Sequence, residues 1–374
     1  MLVDTEIPTP SGWRRMGDLA PGDEVFGHAG RPATVTWVSP VMFDRTVYKV
    51  SFDDRDSVLA DADHQWLTWS VDDANAGRAA RVVTTSKMAE RVWRAGGDGR
   101  QSKWRIPLVG QVEYDYRKVS VPPYVLGAWL GDGDTSGPTL TFHESDRHVF
   151  DRCRALVGSC EPHRDTRNLL VMRASLGPGG LGRRPGVNGD PSCLRQKLRD
   201  LGVLGCKRIP VEYLTASVPQ RRELLEGLLD TDGYVTRKAG NSSQVEFTSK
   251  LEGLATDVLE LVRSLGYKAR IKFGPMKLRG RVVGTRYRVF FTARDPVFSL
   301  PRKLAAQNIG WVKSRARYRC ITNIEEVESV PVQCIAVDGD GTYLMTRSYT
   351  VTHKDLVHDL VLRAGRSTQR LHVP

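Results

Sequence analysis

The chain has 374 residues, enough at about 150 residues per domain for two or three domains with sizeable cores. Lys and Arg number 55 against 43 Asp and Glu, a formal net charge of +12 that points to a polyanionic partner, nucleic acid first. With 40% hydrophobic and 26% charged residues and no long uncharged apolar run, the composition excludes a disordered or fibrous chain and a membrane span, and the opening MLVDTEIPTPSGW is not a secretory signal.

Residues 1–70 read as short strands and turns, with alternation in Arg31–Val38 and Thr46–Phe52 and turn signals around Pro8–Gly12 and Pro21–Asp23. Residues 78–105 differ. They hold eight basic residues (among them Arg81 and Arg94), two acidic ones and a Gly-Gly-Asp-Gly run, and read as a basic inserted loop or small subdomain.

Residues 120–320 contain an internal repeat. Tyr124 to Asp134 (YVLGAWLGDGD) parallels Leu224 to Tyr234 (LLEGLLDTDGY), and the two Asp-Gly aspartates, Asp132 and Asp232, lie 100 residues apart. Each copy is an apolar helical stretch followed by strand-like runs. The second continues with a helix from about Leu251 to Leu265 and two alternating strands. From Arg263 to Arg294 there are ten basic residues and no acidic one. Arg270 and Lys272, then Arg286 and Arg288, alternate at period two, which puts them on one sheet face suited to phosphates and major-groove edges. Lys277, Arg279 and Arg281 sit around the intervening turn at Gly280.

Residues 321–354 return to β character. Asp355 to Pro374 reads as a short helix and a basic tail. The cysteines, Cys153, Cys160, Cys193, Cys206, Cys320 and Cys334, show no paired metal-site spacing, and are read as free thiols in a reducing compartment.

An Asp at the end of each of two closely packed helices supplies the oxygen ligands that phosphodiester hydrolysis asks of a divalent cation. Close packing needs small residues at the contact: Gly127 and Gly131 in the first copy, Gly227 in the second. These two stretches, Val125–Gly133 (VLGAWLGDG) and Leu225–Gly233 (LEGLLDTDG), resemble the nine-residue motif of the LAGLIDADG homing endonucleases. The resemblance implies that Asp132 and Asp232 bind the catalytic metals, Mg²⁺ with Mn²⁺ tolerated, at the centre of a saddle that straddles double-stranded DNA. It also implies one basic residue per half. Lys207, in Cys-Lys-Arg-Ile-Pro, matches the first. For the second, Lys313 stands 81 residues after Asp232 where Lys207 stands 75 after Asp132, with Lys303 as the alternative.

The flanks resemble the Hint fold of inteins. Asp4–Phe26 is similar to the N-terminal block, Ala60–Trp66 with His64 to the second, and Val332–His353 to the C-terminal blocks. Inteins that lack a first nucleophile use a Trp two residues after that His, an internal Cys and a Thr before the last His. Trp66, Cys334 and Thr352 match that set, with His353 as the last His. The junctions depart from the family: Met1-Leu2 in place of a Cys or Ser, and Lys354-Asp355 in place of Asn and a nucleophile.

The fold expected is therefore α+β, an all-β Hint domain interrupted by a duplicated LAGLIDADG domain with pseudo-twofold symmetry. Its parts are residues 1–118, with 78–105 as a further DNA-contact region; 119–318, as repeats 119–215 and 216–318; 319–354; and a C-terminal extension, 355–374. The function expected is a free-standing, monomeric, cytoplasmic, sequence-specific double-strand DNA endonuclease of a bacterial or phage-infected cell. It cleaves at a long asymmetric target, with splicing lost and Leu2, His64, Trp66, Cys334, Thr352, His353 and Lys354 vestigial. The alternatives are a catalytically silent DNA-binding relic and a residual protein-splicing element.

Overall fold

The motif helices are delimited by local chemistry. The first, Pro123–Asp132, opens with Pro123 at a position where φ is preset and no N–H is missed. It stops at Gly133, whose extended backbone donates only to the carbonyl of Trp129. The second, Val218–Asp232, opens after Ser217, whose N–H is taken by the Gln220 side chain at 3.2 Å, and stops in the same way at Gly233.

These helices lie in a computed structural model that describes all residues except 77, 97–98, 167, 178–192, 239–241, 279, 311–313 and 355–374. The chain divides into two compact units, Met1–Glu113 with the segment from Arg317, and Tyr114–Ala316. The divisions thus fall a few residues before the 118/119 and 318/319 of the sequence reading. Tyr114 is buried 5.2 Å from the Arg221 guanidinium of the second unit, and Tyr318 opens a strand of the first.

The first unit is built on antiparallel strands. One sheet runs in the order Thr342–Met345, Thr350–His353, Gln65–Ser70, Trp104–Pro107, Tyr318–Val327, Val47–Phe52, Ser57–Asp61, with Arg81–Thr84 also paired to Gln65–Ser70. A smaller sheet joins Ile335–Val337, Pro32–Val38 and Glu24–Phe26. Segment 78–105 is not a free insert. Its first and last strands, Arg81–Thr84 and Trp104–Pro107, pair within the sheet, while Trp93–Gly96 and Gly99–Ser102 pair with each other in a separate two-stranded sheet. Arg105 stands opposite both Trp69 and Cys320, and Trp104 is buried in the core with Met88 and Ile106. Burial of an indole outweighs the segment's charge and glycine content. At the centre of this sheet Arg319 pairs with Asp54 at 2.7 Å, both almost fully buried.

In the second unit the two motif helices carry the core, joined by Leu140, Phe150, Phe247, Val258 and Phe291. A three-stranded sheet, Thr139–His143, Val171–Ser175 and His163–Arg164, follows the first helix. A four-stranded sheet follows the second, in the order Gly233–Lys238, Ser242–Ser249, Arg281–Phe291, Ala269–Leu278, and is backed by the helix Glu252–Ser264. The architecture is α+β. No described helix is long and apolar enough to cross a membrane.

Candidate active site

The motif helices meet through glycine. A Cβ on Gly127 would lie 2.2 Å from the carbonyl oxygen of Leu224 and 2.9 Å from the nitrogen of Leu228; one on Gly227 would lie 2.3 Å from the oxygen of Tyr124 and 2.7 Å from the nitrogen of Ala128. The contact is reciprocal, backbone on backbone, and excludes any larger residue. It brings the helix ends together. A Cβ on Gly131 would touch Thr231 Oγ1 at 2.1 Å and come within 3.5 Å of the Asp232 carboxylate.

Asp132 and Asp232 therefore converge. Burial pushes Asp232 up to about 7, with the neighbouring Asp132 charge adding to the effect and Lys207 and Lys303 opposing it. Asp132 is more exposed and also raised, through lost hydration, against the same two lysines.

Each helix end receives a lysine. Lys207 Nζ donates to the carbonyls of Gly131 at 2.9 Å and Gly133 at 2.7 Å, and lies over the Trp129 ring at 5.3 Å. Lys303 Nζ donates to the carbonyls of Leu229, Asp230 and Thr231 at 2.8–2.9 Å. Each ammonium thus caps the negative end of a helix beside an Asp. Both lysines are buried, and burial lowers both, Lys303 to about 8. Among the described residues Lys303 is the counterpart of Lys207; Lys313 lies outside them.

Two carboxylates at one point, each raised in the absence of a cation, are a fit for a divalent metal. Among the described residues no group of three or more His, Cys, Asp or Glu gathers to hold one. Two carboxylates would supply oxygen ligands of the kind hard divalent cations take, with water and substrate oxygens completing the set.

In the same unit, Arg270, Lys272, Arg286 and Arg288 share one face of the four-stranded sheet. Lys272 stands opposite Arg288, and Arg270 opposite Phe290. The guanidinium of Arg288, the ammonium of Lys272 and the guanidinium of Arg270 lie 5.0, 5.8 and 5.9 Å from the Phe290 ring, which holds mutually repelling cations on one apolar platform. The other face, with Ala269, Val289 and Phe291, is core. Lys277 and Arg281 are exposed along the hairpin, and Arg279 lies outside the described residues. Arg81 and Arg94, in the first unit, are answered locally by Asp73 and Asp72.

The first unit gathers a second cluster. His64 is fully buried, and its Nε2 is hydrogen-bonded to Thr352 Oγ1. The Trp66 ring stands edge-on to His64 at 5.2 Å and is anchored through Nε1 to Thr85 Oγ1 at 2.9 Å. Burial holds His64 well below the ordinary imidazole range, reinforced by the Met1 amino group, Lys354 and His353. Cys334 is buried, with its N–H on Ser39 Oγ and its carbonyl accepting from the Ser39 N–H. The Lys354 N–H donates to the Gly341 carbonyl at 2.8 Å. Met1, rather than Leu2, enters this cluster: it is fully buried with its nitrogen 2.9 Å from the Gln333 oxygen, while Leu2 is half-buried and bridges Val332.

Two residues here carry no signal in the sequence analysis. Asp230 and Asp257 are buried aspartates in the second half. The one hint is positional: Asp230 occupies the motif position that Leu130 fills in the first copy.

The family described as a LAGLIDADG-like domain matches residues 219–292. The replicative DNA helicase DnaB of Mycobacterium intracellulare is 34% identical over 372 residues, covering 94% of this chain and 58% of that protein; the chain thus spans little more than half its length. The homothallic switching endonuclease of Saccharomyces cerevisiae is 26% identical over 196 residues, 47% of this chain and 32% of that protein. Among solved structures, the MchDnaB-1 intein is 35% identical over 28% of this chain and 65% of its own, with a TM-score of 0.21.

Proposed function

We propose that the chain is an intein-associated LAGLIDADG homing endonuclease, a metal-dependent, site-specific double-strand DNA endonuclease, a reading its similarity to the LAGLIDADG-like domain and to the homothallic switching endonuclease supports. The observation that carries the reading is the convergence of Asp132 and Asp232 at two glycine-packed helix ends, each with a buried lysine. Mg²⁺, or Mn²⁺ in its place, would be held by Asp132 and Asp232 and supplies, when bound, charge neutralisation at the scissile phosphate and a more acidic water.

The chain's own residues do the rest. Gly127 and Gly227 set the spacing of the two carboxylates. Lys207 and Lys303 fix the helix-end carbonyls and add positive charge where the phosphate arrives. The face of Arg270, Lys272, Arg286 and Arg288 neutralises backbone phosphates and presents donors to base edges. We read the two halves as approximate twofold copies acting as one monomer. Because the two halves differ in sequence, we read the target as long and asymmetric.

We read the His64 cluster as a vestige. Lys354 has no side-chain amide to cyclise onto its own carbonyl, and Asp355 is no acceptor for ester transfer. Thiol treatment of the intact chain should leave its mass unchanged.

The test of the nuclease reading is digestion of a randomised plasmid library with the purified chain and Mg²⁺, with cut ends mapped by sequencing. Recurrent cuts at one motif, abolished by Asp132→Asn, are expected. DNA binding without cuts would overturn it in favour of a silent relic.

A further inference from the structure

Neither active-site lysine is held by its own neighbours in the chain; each is delivered by a segment gripped by a buried carboxylate from elsewhere. Asp257, on the helix Glu252–Ser264, accepts from Arg208 Nε and Nη2, both at 2.7 Å, and from the Ile209 N–H at 2.9 Å. These two residues directly follow Lys207. One turn earlier on the same helix, Gly253 leaves the slot in which Arg208 lies: a Cβ there would stand 2.7 Å from Arg208 Cδ. The slot takes the stem of this arginine and Asp257 holds its guanidinium, while about half of the side chain (54%) stays exposed.

Asp230 does the same for the second lysine. It is 2% exposed, and its carboxylate accepts from the N–H groups of Ser299 and Leu300, both at 3.0 Å, from the Ser299 hydroxyl, and from the Tyr124 hydroxyl at 2.9 Å. Leu300 immediately precedes the short helix Pro301–Leu304 that carries Lys303. The first copy has Leu130 at the matching motif position, 1% exposed, so packing of the motif helices does not itself call for a carboxylate there. Burying one costs hydration and is retained for what it holds.

We propose that Asp230 and Asp257 are positioning residues, Asp230 for Lys303 and Asp257 for Lys207, and that each governs cleavage of a different DNA strand. The proposal rests on the nuclease reading above. Lys207 bonds the carbonyls flanking Asp132, and Lys303 those just before Asp232. The strands of a duplex are antiparallel, so two such sets related by an approximate twofold face one scissile phosphate each. Loosening one set slows one strand.

The experiment uses the full chain in single-turnover reactions with Mg²⁺. The substrate is a duplex carrying the motif recovered from the plasmid library, labelled with a different dye on each strand. Asp230→Asn is expected to slow one strand by roughly 10- to 100-fold while the other keeps its rate, and Asp257→Asn to slow the opposite strand, so that each variant accumulates a different nicked product. DNA affinity in chelator should stay at the wild-type level in both. Ser299→Ala and Arg208→Lys, which loosen the same two clamps from the far side, should reproduce the strand preference if an Asp variant melts too low to assay. Equal slowing of both strands, the same strand slowed by both variants, or no slowing would overturn the proposal. A wild-type chain that cuts no strand at all would instead defeat the nuclease reading on which it stands.

Discussion

Replacing Gly127 by Ala tests the helix seam, because two physical effects predict opposite signs. Helix propensity favours Ala over Gly in a helix interior by about 1 kcal/mol. The contact opposes it: the added methyl would stand 2.2 Å from a helical carbonyl oxygen that cannot turn aside. Ordinary contact is restored only if the whole helix Val218–Asp232 withdraws by about 1 Å along the seam, which forfeits a quarter to half of each dispersion contact there. Overpacking of this kind costs typically 1–3 kcal/mol and more against rigid backbone, so a net loss of about 2 kcal/mol is expected, a Tm lower by roughly 4–8 °C for a unit of this size. The same gap moves Asp132 away from Asp232, and a displacement of about 1 Å costs up to 100-fold in rate. Gly227→Ala opens the same gap from the other side, at 2.3 Å from the Tyr124 oxygen, so the double variant should lose clearly less than the sum of the two singles. Thermal melts and plasmid-cleavage rates on the two singles and the double decide the matter. A Gly127→Ala chain that melts at or above wild type, or strictly additive losses, would refute the close-packed seam.

Asp232→Asn should abolish Mg²⁺-dependent cleavage while leaving gel-shift affinity intact; loss of binding would make the residue structural. Substituting Arg270, Lys272, Arg286 or Arg288 by Ala should each flatten the slope of log K against log salt by about one, a result an unliganded charged face would not give. Arg319→Met strands the buried Asp54 carboxylate and should cost about 3–5 kcal/mol in the first unit, read by chemical denaturation. His64 is depressed in the folded chain, so the unfolded chain binds more protons as pH falls through its ordinary value of 6.5. The first unit should therefore be fully stable above about pH 6.5 and lose stability below it, and His64→Gln should remove that part of the slope between pH 7 and 5.

The motifs were legible because their information is local. Asp132 and Asp232 announce themselves by an apolar helical run ending in Asp-Gly, and Gly127 and Gly227 by the smallness a close contact demands. The alternation of Arg270, Lys272, Arg286 and Arg288 needs only the period of a strand to put them on one face. His64, Trp66, Cys334, Thr352 and His353 were legible only through the resemblance of the flanks to intein blocks, since they lie far apart in the chain.

What the pattern could not decide is which distant segment closes on each helix end. Lys303 reaches the carbonyls of Leu229 to Thr231 across more than seventy residues, and that reach depends on the path of every intervening loop. Asp230 and Asp257 were silent because a buried carboxylate is recognised only by the donors around it, and those donors, Ser299, Leu300, Arg208 and Ile209, come from remote stretches. Segment 78–105 keeps its charged side chains at the surface, as its composition suggests, but Thr85, Met88 and Trp104 are buried and tie it to the first unit, an anchorage that composition does not reveal. Periodicity and spacing are properties of neighbours in the chain, whereas burial and long-range hydrogen bonding are properties of neighbours in space.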